Sequence, residues 1–170
     1  MENILFLGCG SWGGALGVAL ANKGYSITMW HRNNDLVKLM EESRTHYLVP
    51  SLRFPKNVSF KSDINTAIQD ASIIIIAIPS QAVRKLLVKH KKCFSQYQMI
   101  VNVSKGIEIG TLMTLSQVVL DVLGKKFTRI VTLSGPSHAD EVIKGSPTTL
   151  VSASINKEAA EFIQKLFYSK

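Results

Sequence analysis

The sequence predicts an α/β fold: a doubly wound, mostly parallel sheet in a single domain. Three observations carry that prediction. Short apolar runs alternate with helix-length stretches along all 170 residues, the pattern of βα units laid into one sheet. The run Ile73-Ile74-Ile75-Ile76-Ala77-Ile78 is apolar throughout; it suits a parallel strand buried on both faces and is far too short to span a bilayer. Near the N-terminus, Ile4-Leu5-Phe6-Leu7 runs straight into Gly8-Cys9-Gly10-Ser11-Trp12-Gly13, a strand that must turn sharply before a helix can start.

The elements follow in order. After the strand at 4–7, small and apolar residues over 12–23 predict a helix. Residues 25–29 alternate apolar and polar side chains and predict a second strand. Asn34 or Asp35 can cap a helix from 36 to about 44. An irregular stretch with Pro50 and Pro55 leads to a short strand at 58–60. Asp63 caps a short helix to Gln69, and the apolar strand over 72–78 is broken by Pro79-Ser80. A basic helix then runs to about Lys92. Residues 99–103 form the next strand, with a helix over 111–123 after the Lys105-Gly106 turn. Further strands are expected at 130–133 and 150–152, and a last helix over 156–167. Neither an internal repeat nor a low-complexity tract interrupts this order.

G-x-G-x-x-G between a strand and a helix is the dinucleotide fingerprint in its required context. Gly8 permits the turn off the strand, Gly10 removes a Cβ where a pyrophosphate approaches, and Gly13 lets the helix pack closely. The helix start offers free N–H groups and a positive dipole end to phosphate.

In an open parallel sheet, ligands bind beyond the carboxyl ends of the strands. Those ends are expected to be Gly8 to Gly13, Trp30-His31-Arg32-Asn33, Pro79-Ser80, Ser104-Lys105-Gly106 and Ser134-Gly135-Pro136-Ser137. An acidic residue after the second strand normally binds the ribose 2′-hydroxyl of NAD; here His31 and Arg32 stand there, with no carboxylate until Asp35. Arg32 can take a 2′-phosphate through its guanidinium fork, assisted by His31, or be an ordinary solvated arginine. The first reading favours NADPH over NADH. Lys105 between a strand and a glycine can hold a phosphate or polarise a substrate oxygen. Gly135-Pro136-Ser137 resembles a helix start, with proline at the first helical position and exposed N–H groups beyond it; an ordinary strand-to-helix turn reads the same way.

Other residues carry less. His138 lies near Asp140 and Glu141 without a nucleophile beside it and reads as structural or solvated. Cys9 reads as a small packing residue, and Trp12 and Trp30 as wall residues near the cofactor, although core packing alone explains either. Cys9, Cys93, His46 and His90 lack metal-ligand spacing, so no metal is expected, and the cysteines suit a reducing cytoplasm. The net charge of +8 raises nucleic-acid binding, but no aromatic platform or helix-turn-helix signature accompanies it. The densest basic stretch, Arg84 to Lys92, reads as the solvated face of a helix.

Together the turns Gly8-Cys9-Gly10-Ser11-Trp12-Gly13-Gly14-Ala15-Leu16, Ile78-Pro79-Ser80, Ser104-Lys105-Gly106-Ile107-Glu108 and Ser134-Gly135-Pro136-Ser137-His138-Ala139 resemble the bacterial-type NAD(P)-dependent glycerol-3-phosphate dehydrogenases, in order and over nearly the whole chain. The resemblance implies a Rossmann domain over 1–170 and the substrate pair dihydroxyacetone phosphate and sn-glycerol 3-phosphate, in the service of phospholipid synthesis. It implies cofactor contacts at Ser11, Trp12, Arg32 and Ala139, with Gly8, Gly10, Gly13, His31 and Pro79 around them. Lys105 would serve cofactor and substrate, and Gly135 and Ser137 the substrate. It also implies that the proton-transferring lysine belongs to a helical second domain beyond these residues, so no catalytic acid or base is expected here. A homodimer is a further expectation. The alternative is an NADPH-binding module without catalysis.

Overall fold

The computed structural model describes residues 2–169. Its strands are β1 (Ile4–Leu7), β2 (Ile27–Trp30), β3 (Val58–Lys61), β4 (Ile73–Ile76), β5 (Met99–Asn102), β6 (Ile130–Ser134) and β7 (Val151–Ala153). The helices are α1 (Ser11–Asn22), α2 (Asn34–Ser43), α3 (Ile64–Gln69), α4 (Ser80–His90), α5 (Leu115–Leu123), α6 (Ala139–Ile143) and α7 (Lys157–Phe167). The strands form one sheet in the order β3-β2-β1-β4-β5-β6-β7. All neighbours are parallel except β6 and β7, which are antiparallel. The order turns back between β1 and β4, which is the switch point where such sheets bind ligands.

The period of two along each strand sorts the apolar side chains into two cores. Ile4, Phe6, Ile73, Ile75, Met99 and Val101 face one side, which α1, α2 and α7 cover through residues such as Leu16, Met40 and Ile163. Leu5, Leu7, Ile74, Ile76 and Ile100 face the other, under Ile68 of α3, Leu87 of α4 and Val118 of α5. This two-sided burial is why β4 can be four isoleucines in succession.

Helix α1 is built from small residues so that it can lie close to the sheet. A Cβ on Gly17 would overlap the Met29 methyl of β2. Gly17 stands one turn beyond Gly13 on the same helix face, so helix-to-strand contact depends on both. Gly13 itself fits against the loop and the end of β4: a Cβ there would come 2.6 Å from the Gly8 carbonyl oxygen and 3.0 Å from the Ala77 Cβ.

Several boundaries differ from the sequence expectation, each for a local reason. Helix α1 begins at Ser11, one residue early, with Gly10 as its N-cap. Asn33, not Asn34 or Asp35, caps α2: its side-chain oxygen accepts from the N–H groups of Asp35 at 2.8 Å and Leu36 at 3.2 Å, as a cap must. Strand β2 starts only at Ile27, after the turn at Gly24 (φ +93°). Residues 111–114 are not helical, because Leu112 has φ +57° and Thr114 caps α5 in a capping box with Gln117. Pro136 is not the first residue of a helix; α6 starts three positions later, at Ala139.

Candidate functional site

Strands β1, β2, β4, β5 and β6 run parallel, so the turns that leave them meet along one edge of the sheet. At its centre Gly8 has φ +111°, a conformation that side chains resist. A Cβ there would also sit 2.6 Å from the Ala77 carbonyl oxygen. Gly10 is different: nothing in the protein lies within 4 Å of where its Cβ would be. Its open side is available to something outside the chain.

The first bond of α1 runs from the Gly14 N–H to the Gly10 carbonyl at 2.8 Å. The N–H groups of Ser11, Trp12 and Gly13 therefore precede the helical ladder. No acidic side chain occupies that first turn, and Gly10 gives no side-chain cap. The turn is a set of donors at a positive helix end without a protein anion, which fits a pyrophosphate.

On one side of the loop, β2 leads to His31 and Arg32. Arg32 is exposed, and no ion pair involves it among the described residues. His31 accepts from the Asn33 N–H at Nδ1 (3.1 Å), and its Nε2 lies 3.5 Å from the Tyr47 hydroxyl. The two rings meet edge to face with centroids 5.3 Å apart. Nothing in the sequence around Tyr47 marks it for this site; it lies in the irregular segment before β3, and only folding brings it beside His31.

On the other side, Lys105 leaves β5. Its ammonium donates to the Ser137 carbonyl at 2.6 Å and lies 5.7 Å from the centre of the Trp12 ring. The Trp12 indole N–H donates to the Val103 carbonyl at 3.0 Å, so this tryptophan ties α1 to the end of β5 and forms a wall of the crevice. Trp30 does not share that role: its indole N–H donates to the Ser62 carbonyl at 2.9 Å, and the ring packs in the core under α3.

The lysine turn is held by its neighbours. Ser104 donates to the Ile78 carbonyl at 2.6 Å, next to Pro79 at the end of β4. Gln81 of α4 donates to the Ile107 carbonyl at 2.8 Å and accepts from the Ile109 N–H at 2.9 Å. Arg84 grips both carboxylate oxygens of Glu108, at 2.8 and 3.0 Å, and that pairing holds the Glu108 carboxyl below the usual carboxylate range. The Glu108 charge is thus neutralised within the protein, and Lys105 keeps a cationic crevice.

Gly135 and Ser137 are brought beside Lys105, but not as the start of a helix. A Cβ on Gly135 would overlap the Thr149 carbonyl oxygen, so the turn lies directly against the irregular segment that leads into β7. Ser137 is only 2% exposed, and its hydroxyl donates to the Gly135 carbonyl at 3.3 Å. Ala139 opens α6, which packs against α1. His138 is exposed, in keeping with a solvated residue. Cys9 is buried with its thiol 3.8 Å from the Met40 sulfur, and burial pushes its pKa up to about 12; it packs and does not react. The described residues contain no cluster of three metal-ligating side chains and no helix long and apolar enough to cross a membrane.

The comparisons agree with this geometry. Residues 3–160 match the family model described as NAD-dependent glycerol-3-phosphate dehydrogenase N-terminus. The NAD(P)+ glycerol-3-phosphate dehydrogenase of Geobacillus thermodenitrificans is 40% identical over 169 residues, 98% of this chain and 49% of the relative. That of Chlorobium phaeobacteroides is 38% identical over 164 residues, 95% of this chain and 49% of the relative. Among solved structures, glycerol-3-phosphate dehydrogenase from Coxiella burnetii superposes with a TM-score of 0.91 at 28% identity, covering 99% of this chain and 51% of that one. The chain spans about half the length of the curated relatives it matches. It belongs to the NAD-dependent glycerol-3-phosphate dehydrogenase family and corresponds to the family's N-terminal, NAD(P)-binding part.

Proposed function

We propose that residues 1–170 form the cofactor-binding domain of an enzyme that interconverts dihydroxyacetone phosphate and sn-glycerol 3-phosphate with NADPH or NADH. The observation that carries this reading is the Lys105–Ser137 bond. It joins the turns after β5 and β6 beside Trp12, so a cation and the Gly135–Ser137 turn stand next to the glycine loop.

The residues divide the work along the crevice. Gly8, Gly10 and Gly13 shape the loop on which the pyrophosphate rests, and the N–H groups at Ser11, Trp12 and Gly13 bond it. His31 and Arg32 receive the adenosine end; Pro79 and Ala139 line the path towards the substrate. The bound nicotinamide supplies hydride to the ketone carbon of the substrate. Lys105 holds the substrate oxygens by point charge, and Gly135 and Ser137 close the substrate side. A helical second domain carries the lysine that moves the proton, which makes the isolated domain a binder and not a catalyst. The enzyme works in the cytoplasm, as a homodimer, and its product enters phospholipid synthesis.

Two experiments test this. Oxidation of NADPH that depends on dihydroxyacetone phosphate is expected from a version extended by the helical domain and not from the 170-residue chain; equal turnover by both contradicts the division of labour. Arg32→Asp should weaken NADPH by about 10-fold or more, the scale of a charge-assisted bidentate contact, and leave NADH within about 3-fold. Calorimetric titration with both cofactors checks this, and an equal loss for the two removes Arg32 from the 2′-phosphate.

A further inference from the structure

His46 lies in the irregular segment between α2 and β3, yet it is 1% exposed. Backbone groups hold its ring on both nitrogens. Nδ1 accepts from the N–H groups of Leu48 and Val49, each at 3.1 Å. An accepting Nδ1 carries no proton, so in the neutral ring the proton sits on Nε2. That nitrogen lies 3.2 Å from the Cys9 carbonyl and donates to it. The ring also fills the space above Gly14, where a Cβ would come 2.7 Å from its Cδ2. Tyr47 stacks on it with centroids 5.0 Å apart.

Cys9 is the middle residue of Gly8-Cys9-Gly10, and the peptide that follows it is planar and trans. Its carbonyl and the Gly10 N–H therefore point in opposite directions. Holding the carbonyl on His46 turns the Gly10 N–H away from the histidine. That N–H has no protein acceptor among the described residues, and the Gly10 Cα faces open space.

We propose that His46 is a positioning residue for the dinucleotide: its neutral ring, held at Nδ1 by the turn at 46–49, clamps the Cys9 peptide so that the Gly10 N–H is presented to the phosphates, and protonation of Nδ1 breaks the hold of that turn on the ring. A proton on Nδ1 would face two N–H donors, so the imidazolium loses both of their bonds and the turn at 46–49 must open. The titratable and charged groups around it offer no anion in exchange. The Cys9 thiol and Tyr47 phenol are both pushed up by burial and stay neutral; His31 lies against the Tyr47 hydroxyl, and Arg32, whose charge acts on Tyr47, is a cation.

Burial, aided by His31, lowers the His46 pKa below its ordinary 6.5 against the opposing bonds to the Gly10 and Cys9 backbone. The folded value is thus below the unfolded one. Stability from the neutral ring is complete above the unfolded pKa and is lost as pH falls through the folded one. Cofactor affinity follows the same direction.

The inference rests on dinucleotide binding by this domain, and its test separates the two. NADH, which lacks a titrating 2′-phosphate, is titrated into the wild type, His46→Gln and His46→Phe from pH 5 to 8. His46→Phe should stay folded by near-ultraviolet circular dichroism and bind about 10-fold more weakly at pH 7.5, because the Cys9 carbonyl loses its donor. His46→Gln can still donate to that carbonyl but cannot titrate. It should bind within about 3-fold of wild type, without the acid-range loss that the wild type shows. Protection of the Leu48 and Val49 amides relative to their intrinsic exchange rates, followed without cofactor, should be high at neutral pH and fall in acid only in the wild type. Superimposable pH profiles for wild type and His46→Gln overturn the proposal, as does a folded His46→Phe that binds like wild type. If His46→Phe fails to fold, the glutamine comparison decides. A chain that binds no NADH at any pH contradicts dinucleotide binding instead, and the amide exchange still judges the clamp.

Discussion

Gly8→Ala is expected to abolish NAD(P) binding and to destabilise the domain by about 3 kcal/mol, from backbone strain and overpacking that each cost roughly 1–3 kcal/mol. The strain follows from φ +111° at Gly8, which an alanine cannot adopt without cost. The crowding follows from the Ala77 carbonyl oxygen and the Ile78 side chain, 2.6 and 2.8 Å from the new Cβ. Neither can yield cheaply: Ala77 is main chain at the end of β4, and its N–H is bonded to the Leu7 carbonyl at 2.9 Å. Gly10→Ala is the matched control. Its Cβ would meet nothing in the protein, so stability should change by less than about 1 kcal/mol while binding is lost to contact with the phosphates. Denaturant unfolding and cofactor titration of both variants check the pair. A Gly10→Ala protein that binds normally shows that phosphates do not approach there.

The second large effect is expected at Lys105, in a version of the protein that includes the helical domain. Lys105→Met keeps the apolar stem and removes the charge, and the residue is exposed enough to leave the fold intact. Its side chain makes one polar bond among the described residues, to the Ser137 carbonyl, so the stability cost should be about 1 kcal/mol. The catalytic cost is larger. A preorganised cation beside a reacting oxygen contributes about 100- to 1000-fold to turnover, and kcat/KM for dihydroxyacetone phosphate should fall by that factor. NADH affinity should change only a few-fold, because the glycine loop carries most of the cofactor's phosphate bonding. Steady-state kinetics with a parallel binding titration measures the split. A kcat/KM within about 3-fold of wild type removes Lys105 from the reacting centre.

The fold was largely legible because its signals are local or periodic. The apolar run through Ile73–Ile76, the glycine turn after Ile4–Leu7 and the alternation of elements each specify structure over a few residues. The misplaced boundaries are those decided by side-chain bonding that composition does not reveal, such as the Asn33 cap and the Thr114–Gln117 capping box. Pro136 shows how one local rule misleads: proline suits a first helical turn, but Gly135 is packed against Thr149 and Leu150, ahead of β7, and α6 begins only at Ala139.

For the site, each turn at the carboxyl edge could be found from its strand, while the groups that hold the turns could not. His46 and Tyr47 come from a segment without periodicity, and nothing within it points to the glycine loop some 37 residues earlier. Gln81, Arg84 and Glu108 are joined across the gap between α4 and the turn after β5.

A dinucleotide bound along the carboxyl edge would run from Arg32 over the glycine loop to Lys105. A competing cavity exists: a cleft of about 530 Å3 at the amino ends of β1 and β2, lined by residues that include Asn3, Ser26, Asn57 and Lys61. Of its two lysines, Lys56 and Lys61, the second is paired at 2.7 Å with Asp70, a carboxylate that also lines the cleft and disfavours phosphate there. Amide chemical-shift mapping during an NADPH titration separates the two places most directly. Shifts are expected at Gly8, Gly10, Ser11, Arg32 and Lys105, with Ser26 and Asn57 unmoved. Shifts gathered at Asn3, Ser26 and Asn57, with the glycine loop silent, would contradict it.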